Sequence, residues 1–164
     1  MLYLQPLART DGRDIYDMLQ RIPPENGFQN SAYQMEYAQF PAWLERRVNM
    51  AQGIGLEDWQ VPSSSYWLMD DSVPVAMGNL RHRLTDALRE RGGHIGYAVD
   101  GTLHGRGYGK AILRLLLEEA RRMGITEEIL VTVNPDNIAS RRVAEANGGQ
   151  LRRETDKRVY YWFR

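Results

Sequence analysis

The sequence predicts one domain of mixed α/β class. The run Ile129–Val133 is continuously apolar or β-branched, which is typical of a buried central strand. Residues 107–123 carry apolar side chains at helical spacing, and Gly124 provides a stop at the end of that helix. A strand at 93–99 precedes the helix, so residues 94–133 form a strand–helix–strand unit. The length of 164 residues fits a single domain.

The first part of the chain predicts one short strand followed by helices. Asp11 is placed to cap the first helix, and the segment Pro23–Gly27 ends it. Pro41 is expected to split the second helical stretch, because proline favours the first turn of a helix. The predicted ranges are a strand at 2–8, a helix including 15–22, a helical stretch at 31–51 and a loop at 53–65.

The rest of the chain predicts mainly strands. Asp70-Asp71-Ser72 is a turn between two strands, and Asn134-Pro135-Asp136 ends the central strand. The predicted elements are strands at 66–69 and 73–80, a helical turn at 85–90, a helix at 138–146, and closing strands near 150–154 and 159–163.

Composition excludes several kinds of protein. The 21 basic and 21 acidic residues cancel, which argues against a globally basic nucleic-acid binder and against a highly charged disordered chain. The absence of cysteine excludes disulfides, thiolate nucleophiles, zinc fingers and iron–sulfur clusters. No apolar run approaches the ~20 residues of a membrane span, and the N-terminus does not resemble a signal peptide. We therefore expect a cytoplasmic protein with no membrane partner.

A glycine-rich turn between the strand at 93–99 and the following helix is the most informative segment. Gly105, Gly107 and Gly109 free the backbone there, so that its amides can face a phosphate at the positive end of the helix dipole. Arg106 and Lys110 add positive charge. The nucleotide-binding P-loop pattern fails at His104 and Ala111, and the third glycine comes one residue early for a dinucleotide fingerprint. The alternative is an ordinary glycine turn that only begins a helix.

This segment resembles motif A of the GNAT superfamily of acyl-CoA-dependent N-acyltransferases, written Q/R-x-x-G-x-G/A. The stretch His104–Gly109 fits, except that His104 takes the Gln/Arg place. Residues Ile95–Asp100 are similar to the strand that leads into this loop, and Asn137–Gly149 is similar to motif B. Together these motifs cover about residues 94–150. Within the superfamily, the stretches Asn79–Leu84 and Gly92–Tyr97 resemble a poorly characterised bacterial group of predicted acetyltransferases.

The resemblance implies an α/β (α+β) fold with a mixed, mostly antiparallel twisted sheet of about six to seven strands and about four flanking helices. Residues 1–164 would form one acyltransferase domain, with 1–65 on the acceptor side and 66–164 as the sheet and acetyl-CoA core. Acetyl-CoA would be the cosubstrate, without a metal. The resemblance implies that its binding residues are Ala98, Val99, His104, Gly105, Arg106, Gly107, Tyr108, Gly109, Lys110, Asn137 and Ser140.

Acetyl transfer requires a proton donor for the leaving thiolate. The tyrosine that the family often uses falls on Ala144, so this acid is missing. Ser140 and Tyr160, with Tyr161 beside it, are the candidates that remain. The structural alternatives are helix capping near Asn137 for Ser140 and sheet packing for the tyrosines.

Histidine is the best candidate for the base, because its pKa lies near neutrality. His94 is the first candidate and His82 the second, although either could be a structural histidine without chemistry. His104 more simply serves the phosphate loop. The three histidines lack the spacing of a zinc site.

The sequence therefore predicts an N-acetyltransferase that moves an acetyl group from acetyl-CoA to a primary amine by direct attack in a ternary complex. Its acceptor would be a small-molecule or peptide amine, not a nucleic acid, and a homodimer is compatible with the resemblance. The alternative is a non-catalytic CoA-binding or protein-interaction module with the same fold, which the vacant position at Ala144 favours.

Overall fold

The computed structural model describes all residues, 1–164, and contains seven strands and five α-helices. The strands are β1 (Leu2–Pro6), β2 (Ser63–Asp70), β3 (Val73–Arg81), β4 (Ile95–Val99), β5 (Ile129–Val133), β6 (Gln150–Glu154) and β7 (Val159–Phe163). The helices are α1 (Arg13–Leu19), α2 (Phe40–Ala51), α3 (Asp86–Glu90), α4 (Tyr108–Arg122) and α5 (Ile138–Ala146). No helix is both long enough and apolar enough to cross a membrane.

The strands form two antiparallel sheets, in the orders β1-β2-β3-β4 and β5-β7-β6. The predicted mixed, mostly antiparallel α/β fold is confirmed, although its sheet is divided in two and five helices replace the expected four. The sheets touch where Gly93 forms a bridge with Val131 and the His94 amide donates to the Leu130 carbonyl over 2.8 Å. Beyond this point β4 and β5 have no ladder between them, so a gap opens along β4.

One face of the sheets is covered by α4. Its apolar stripe, Ile112, Leu113, Leu116 and Ala120, is fully buried. Close approach depends on a glycine in β3, because a Cβ on Gly78 would lie 2.7 Å from Leu116 Cδ1. This packing fixes the start of α4 beside the end of β4.

The opposite face is covered by α1 and α2 with an aromatic cluster. Trp43 of α2 stacks on Trp67 of β2 with ring centroids 6.4 Å apart, and both side chains are buried. The indole N–H of Trp43 donates to Ser31 Oγ over 2.8 Å, which ties the loop before α2 to the helix. These contacts hold the acceptor-side segment against the sheet.

Two local predictions in this segment are wrong. The residue before α1 is Gly12, and no side chain caps that helix. Asp11 instead accepts hydrogen bonds from the Trp67 indole and the Ala8 amide, because those tertiary partners use the carboxylate. Residues 31–36 are turns rather than helix, since buried Asn30 bonds the carbonyls of Leu19 and Ile22 and bends the chain there.

Candidate active site

A cleft of about 1560 Å³ opens where β4 and β5 diverge, and we call it the central cleft. One wall consists of β4, β5 and the N-terminal ends of α4 and α5. The other wall comes from residues 25–31 and from α2 with the loop that follows it. The glycine-rich turn and the acceptor-side segment therefore face the same space.

The start of α4 presents unused backbone amides to the central cleft. Gly105 and Gly107 adopt φ of +80° and +81°, which places both in the left-handed region that favours glycine. The first intrahelical bond runs from the Ala111 amide to the Gly107 carbonyl, and no side chain caps the helix. The amides of the first turn consequently lack helical acceptors and lie at the positive end of the dipole. This geometry suits a phosphate group.

Most residues predicted to bind the cofactor line the central cleft. They are Ala98, Val99, His104, Gly105, Gly107, Tyr108, Gly109, Lys110, Asn137 and Ser140. Arg106 is the one predicted residue that does not line it; its side chain is exposed on the loop. Asn137 caps α5 by accepting the Ser140 amide at its Oδ1 over 3.2 Å, which leaves its NH₂ group for another partner.

The free edge of β4 offers further backbone groups. The Asp100 amide donates to Val75 and the Arg81 amide donates to His94, so the even-numbered residues of β4 bond to β3. The backbone groups of Tyr97 and Val99 therefore face the gap, whereas those of Ala98 are paired with Met77. Of the two residues expected to pair with pantetheine, only Val99 has its backbone groups directed to the gap, and the backbone groups of Tyr97 face the gap as well.

Tyr97 and Ser140 meet at the floor of the central cleft. Burial raises the pKa of the Tyr97 phenol, and the nearby Ser140 hydroxyl opposes this only in part. The phenol therefore stays protonated at neutral pH and can act as a proton donor. Sequence reasoning missed Tyr97, because its place in an apolar strand gives no sign of a polar partner on another element.

His94 is buried at the junction of the two sheets. Its Nδ1 accepts a hydrogen bond from the Leu130 amide over 3.0 Å, so Nε2 carries the proton and lies 3.4 Å from Glu127 Oε1. Burial lowers the pKa of His94, although Glu127 acts in the opposite direction. The only lone pair of the neutral ring is thus already in use, and His94 can accept a proton only by losing the bond to Leu130.

The other two catalytic candidates lie away from the central cleft. His82 borders a separate surface pocket with Met123–Glu127, and its Nε2 lies 2.8 Å from Ser64 Oγ. The Tyr160 hydroxyl donates to the Glu90 carbonyl over 2.7 Å, and its ring is buried beside Leu130. For Tyr160 the geometry matches the structural alternative of sheet packing.

An ion pair between a buried carboxylate and an exposed arginine at the end of β4 was not anticipated. Asp100 is 1% exposed and accepts Arg21 Nε over 2.7 Å, with two further bonds from the Thr102 amide and hydroxyl. Burial alone would raise the pKa of Asp100, but these hydrogen bonds outweigh it and lower the pKa. The pair fixes the loop that leads to Gly105. Its partners are far apart in the chain, so no local signal reveals it.

Comparison with known proteins agrees with this geometry. The family model "Acetyltransferase (GNAT) family" matches residues 15–148. No curated protein matches the chain significantly in sequence. No group of three histidine, aspartate or glutamate side chains is placed to hold a metal ion.

Several solved structures share the fold at low sequence identity. Mycobacterium smegmatis RimJ in complex with CoA-disulfide has a TM-score of 0.71 at 19% identity, covering 99% of this chain and 81% of that chain. Campylobacter jejuni N-acetyltransferase PseH in complex with acetyl coenzyme A has a TM-score of 0.65 at 10% identity, covering 100% and 99%. A Salmonella typhimurium acetyl transferase that modifies the N-terminal serine of ribosomal protein L7/L12 has a TM-score of 0.62 at 14% identity, covering 99% and 92%.

The family match extends over most of the chain and includes the glycine-rich turn, the gap beside β4 and the capped start of α5. The chain belongs to the GNAT family of acetyltransferases.

Proposed function

We propose that the protein transfers the acetyl group of acetyl-CoA to a primary amine by direct attack within a ternary complex. The observation that carries this proposal is the continuity of the central cleft. It extends from the open amides of α4, along the free edge of β4, to a second region beside Phe28 and α2. One cavity can therefore hold the cosubstrate and an acceptor together.

The backbone would do most of the cosubstrate binding. The amides of Tyr108, Gly109 and Lys110 would hold the diphosphate, and the gap-facing groups of Tyr97 and Val99 would pair with pantetheine. The Asn137 amide group would contact the pantetheine arm. Acetyl-CoA itself supplies the thioester. These contacts would place its acetyl end near the middle of β4, next to the acceptor region.

The residues around this point can support acyl transfer. A gap-facing N–H of β4 can polarise the thioester carbonyl. The amine nitrogen forms a bond to the carbonyl carbon while the carbon–sulfur bond breaks. The protonated Tyr97 phenol, with Ser140 beside it, is our candidate proton donor to the leaving thiolate. The amine proton passes to water, since neither ring nitrogen of His94 is a free acceptor.

His94 then serves as a positioning residue. Its bond to Leu130 holds β4 against β5 at the point where the strands begin to diverge. We therefore propose that this bond, rather than proton acceptance, is its contribution to the reaction. His82 and Tyr160 have no part in the chemistry proposed, because both lie outside the central cleft.

Amine-dependent release of the CoA thiol from acetyl-CoA tests the proposal. We expect turnover with at least one primary amine, and we expect Tyr97→Phe to lower kcat about 10²- to 10⁴-fold with acetyl-CoA affinity unchanged. Tyr33→Phe removes a phenol that does not line the cleft and serves as the matched control. Binding of acetyl-CoA without turnover across a wide amine panel would instead support the non-catalytic module, which Ala144 at the usual acid position favours.

A further inference from the structure

The acceptor part of the central cleft carries an excess of unpaired positive charge. Five arginines line the cleft, and none of them takes part in an ion pair: Arg46, Arg47, Arg81, Arg91 and Arg158. The only acidic residues in the same lining are Glu25 and Glu57. The chain as a whole has no net charge, so this excess is a local property of the cleft.

Arg47 is the most unusual member of this set. Its guanidinium lies over the Trp43 ring, 5.1 Å from the centroid, and makes no hydrogen bond to any protein group. Burial, reinforced by the neighbouring charge of Arg46, lowers the pKa of Arg47 to about 10. The side chain is half-buried in the cleft lining, so the guanidinium is partly removed from water without a protein counter-ion. An anion bound in the cleft would supply that counter-ion.

The diphosphate of the cosubstrate is a poor candidate for this anion. Arg81 donates to the Gly93 carbonyl over 3.0 Å and so marks the start of β4. The α4 amides lie beyond the other end of this strand, roughly 20 Å further along an extended chain of six residues. In the proposed binding mode the cosubstrate ends with its thioester near the middle of β4, and a thioester carries no charge, so no charged group of the cosubstrate would reach the start of this strand.

We propose that the acceptor amine carries a carboxylate, which Arg47 binds while Arg81 contributes to the positive field. This inference rests on the proposed acetyl transfer and names the class of its acceptor. A guanidinium already stacked on an aromatic ring presents its N–H edge to a planar carboxylate, which is the geometry of bidentate recognition. The carboxylate belongs either to a free amino acid or to a peptide with an acidic side chain near its N-terminus.

Matched acceptors test the class. Acetylation rates are compared for free amino acids against their carboxamides, and for short peptides with Glu or Gln next to the N-terminus. We expect kcat/KM to favour the carboxylate in one of these arms by about 10- to 100-fold, as for a hydrogen bond to a charged group. The pair of acceptors that shows the preference tells whether the acceptor is a free amino acid or a peptide. Equal rates for both members of every pair would overturn the inference while leaving acetyl transfer intact.

Substitutions of Arg47 test whether this residue causes the preference for a carboxylate. Arg47→Gln should abolish it and raise KM for the carboxylate, whereas Arg47→Lys should retain part of it. Arg83→Gln is the matched control, because Arg83 is exposed and lies outside the cleft. A preference that survives unchanged in Arg47→Gln would refute the assignment. Retained folding can be checked by a thermal melt, in which Arg47→Gln should stay close to wild type because the side chain is half-buried and has no ion-pair partner.

A binding measurement separates this inference from the proposed function. N-acetyl amino acids, N-acetyl peptides and their uncharged counterparts are titrated into the protein by calorimetry, with and without CoA. Preference for the charged compounds together with no binding of CoA would keep the anion site and refute acetyl transfer. Binding of CoA without a preference for the charged compounds would refute the anion site and leave acetyl transfer intact.

Discussion

Replacement of His94 distinguishes a positioning residue from a catalytic base. His94→Ala leaves the buried Leu130 amide without an acceptor, which costs about 1–3 kcal/mol. It also leaves a cavity at a fully buried site, so the total loss of unfolding free energy is expected to be about 2–5 kcal/mol. His94→Asn places an oxygen near the position of Nδ1 and can accept the same amide. The loss of unfolding free energy in His94→Asn should therefore be smaller, about 1–2 kcal/mol.

The pH dependence of stability gives a second readout. Because burial lowers the pKa of His94 in the folded protein, the unfolded chain binds a proton first as the pH falls through about 6.5. The wild-type contribution is therefore complete above this pH and is lost between it and the lower folded pKa. His94→Asn has no titrating ring, so the difference in stability between the two proteins should shrink as the solution is acidified from pH 7.5.

Urea unfolding at several pH values and steady-state kinetics complete the test. We expect His94→Asn to keep kcat within about threefold of wild type, with kcat/KM rising with the fraction of neutral acceptor amine. The reasoning would be refuted if folded His94→Asn lost 10²-fold or more in kcat and if its pH–rate profile no longer showed the change in rate near neutrality. That result would restore His94 as the base.

Four further substitutions have outcomes that the structure separates. Gly107→Ala places a side chain at φ +81° and should lower the unfolding free energy, measured in a thermal melt, by about 1–2 kcal/mol. Gly109→Ala should raise the unfolding free energy by up to about 1 kcal/mol but weaken acetyl-CoA binding, because its methyl group would enter the space between α4 and Tyr97. Equal acetyl-CoA affinity in Gly109→Ala and wild type would contradict the proposed position of the ligand. Asp100→Asn should lower the unfolding free energy by about 1–3 kcal/mol at pH 7. Because the pKa of Asp100 is lowered in the folded protein, this difference should be complete above the unfolded value of about 3.8 and should shrink as the pH falls from there through the lower folded pKa. A difference that does not change with pH would exclude the charge as its cause. His82→Ala should leave kcat/KM within twofold of wild type, and a large loss would place His82 in the reaction despite its position outside the cleft.

The fold and the glycine-rich turn at the start of α4 could be predicted from the sequence because their signals are local. The apolar stripe of α4, the run Ile129–Val133 and the left-handed glycines each depend on residues close together in the chain. The structure reproduces the predicted elements of the second half of the chain with small shifts at their ends. In the first half, residues 31–36 escaped prediction because a buried asparagine, not periodicity, sets their course.

The reacting groups were harder to predict because long-range contacts decide what each side chain can do. His94 is bonded to an amide 36 residues away, and the Tyr160 hydroxyl is bonded to a carbonyl 70 residues away. Neither partner is visible in a motif. The same holds for two residues that the sequence did not single out. Tyr97 becomes a candidate proton donor, and Arg47 a cation without an ion-pair partner, only after distant elements pack around them.

Calorimetric titration of the protein with acetyl-CoA and with S-acetyl-pantetheine, which lacks the diphosphate, tests the role of the α4 amides most directly. We expect acetyl-CoA to bind at least 100-fold more tightly, with Gly109→Ala narrowing that difference. Equal affinities for the two thioesters, or no heat with either, would contradict the assignment of the glycine-rich turn as a diphosphate site.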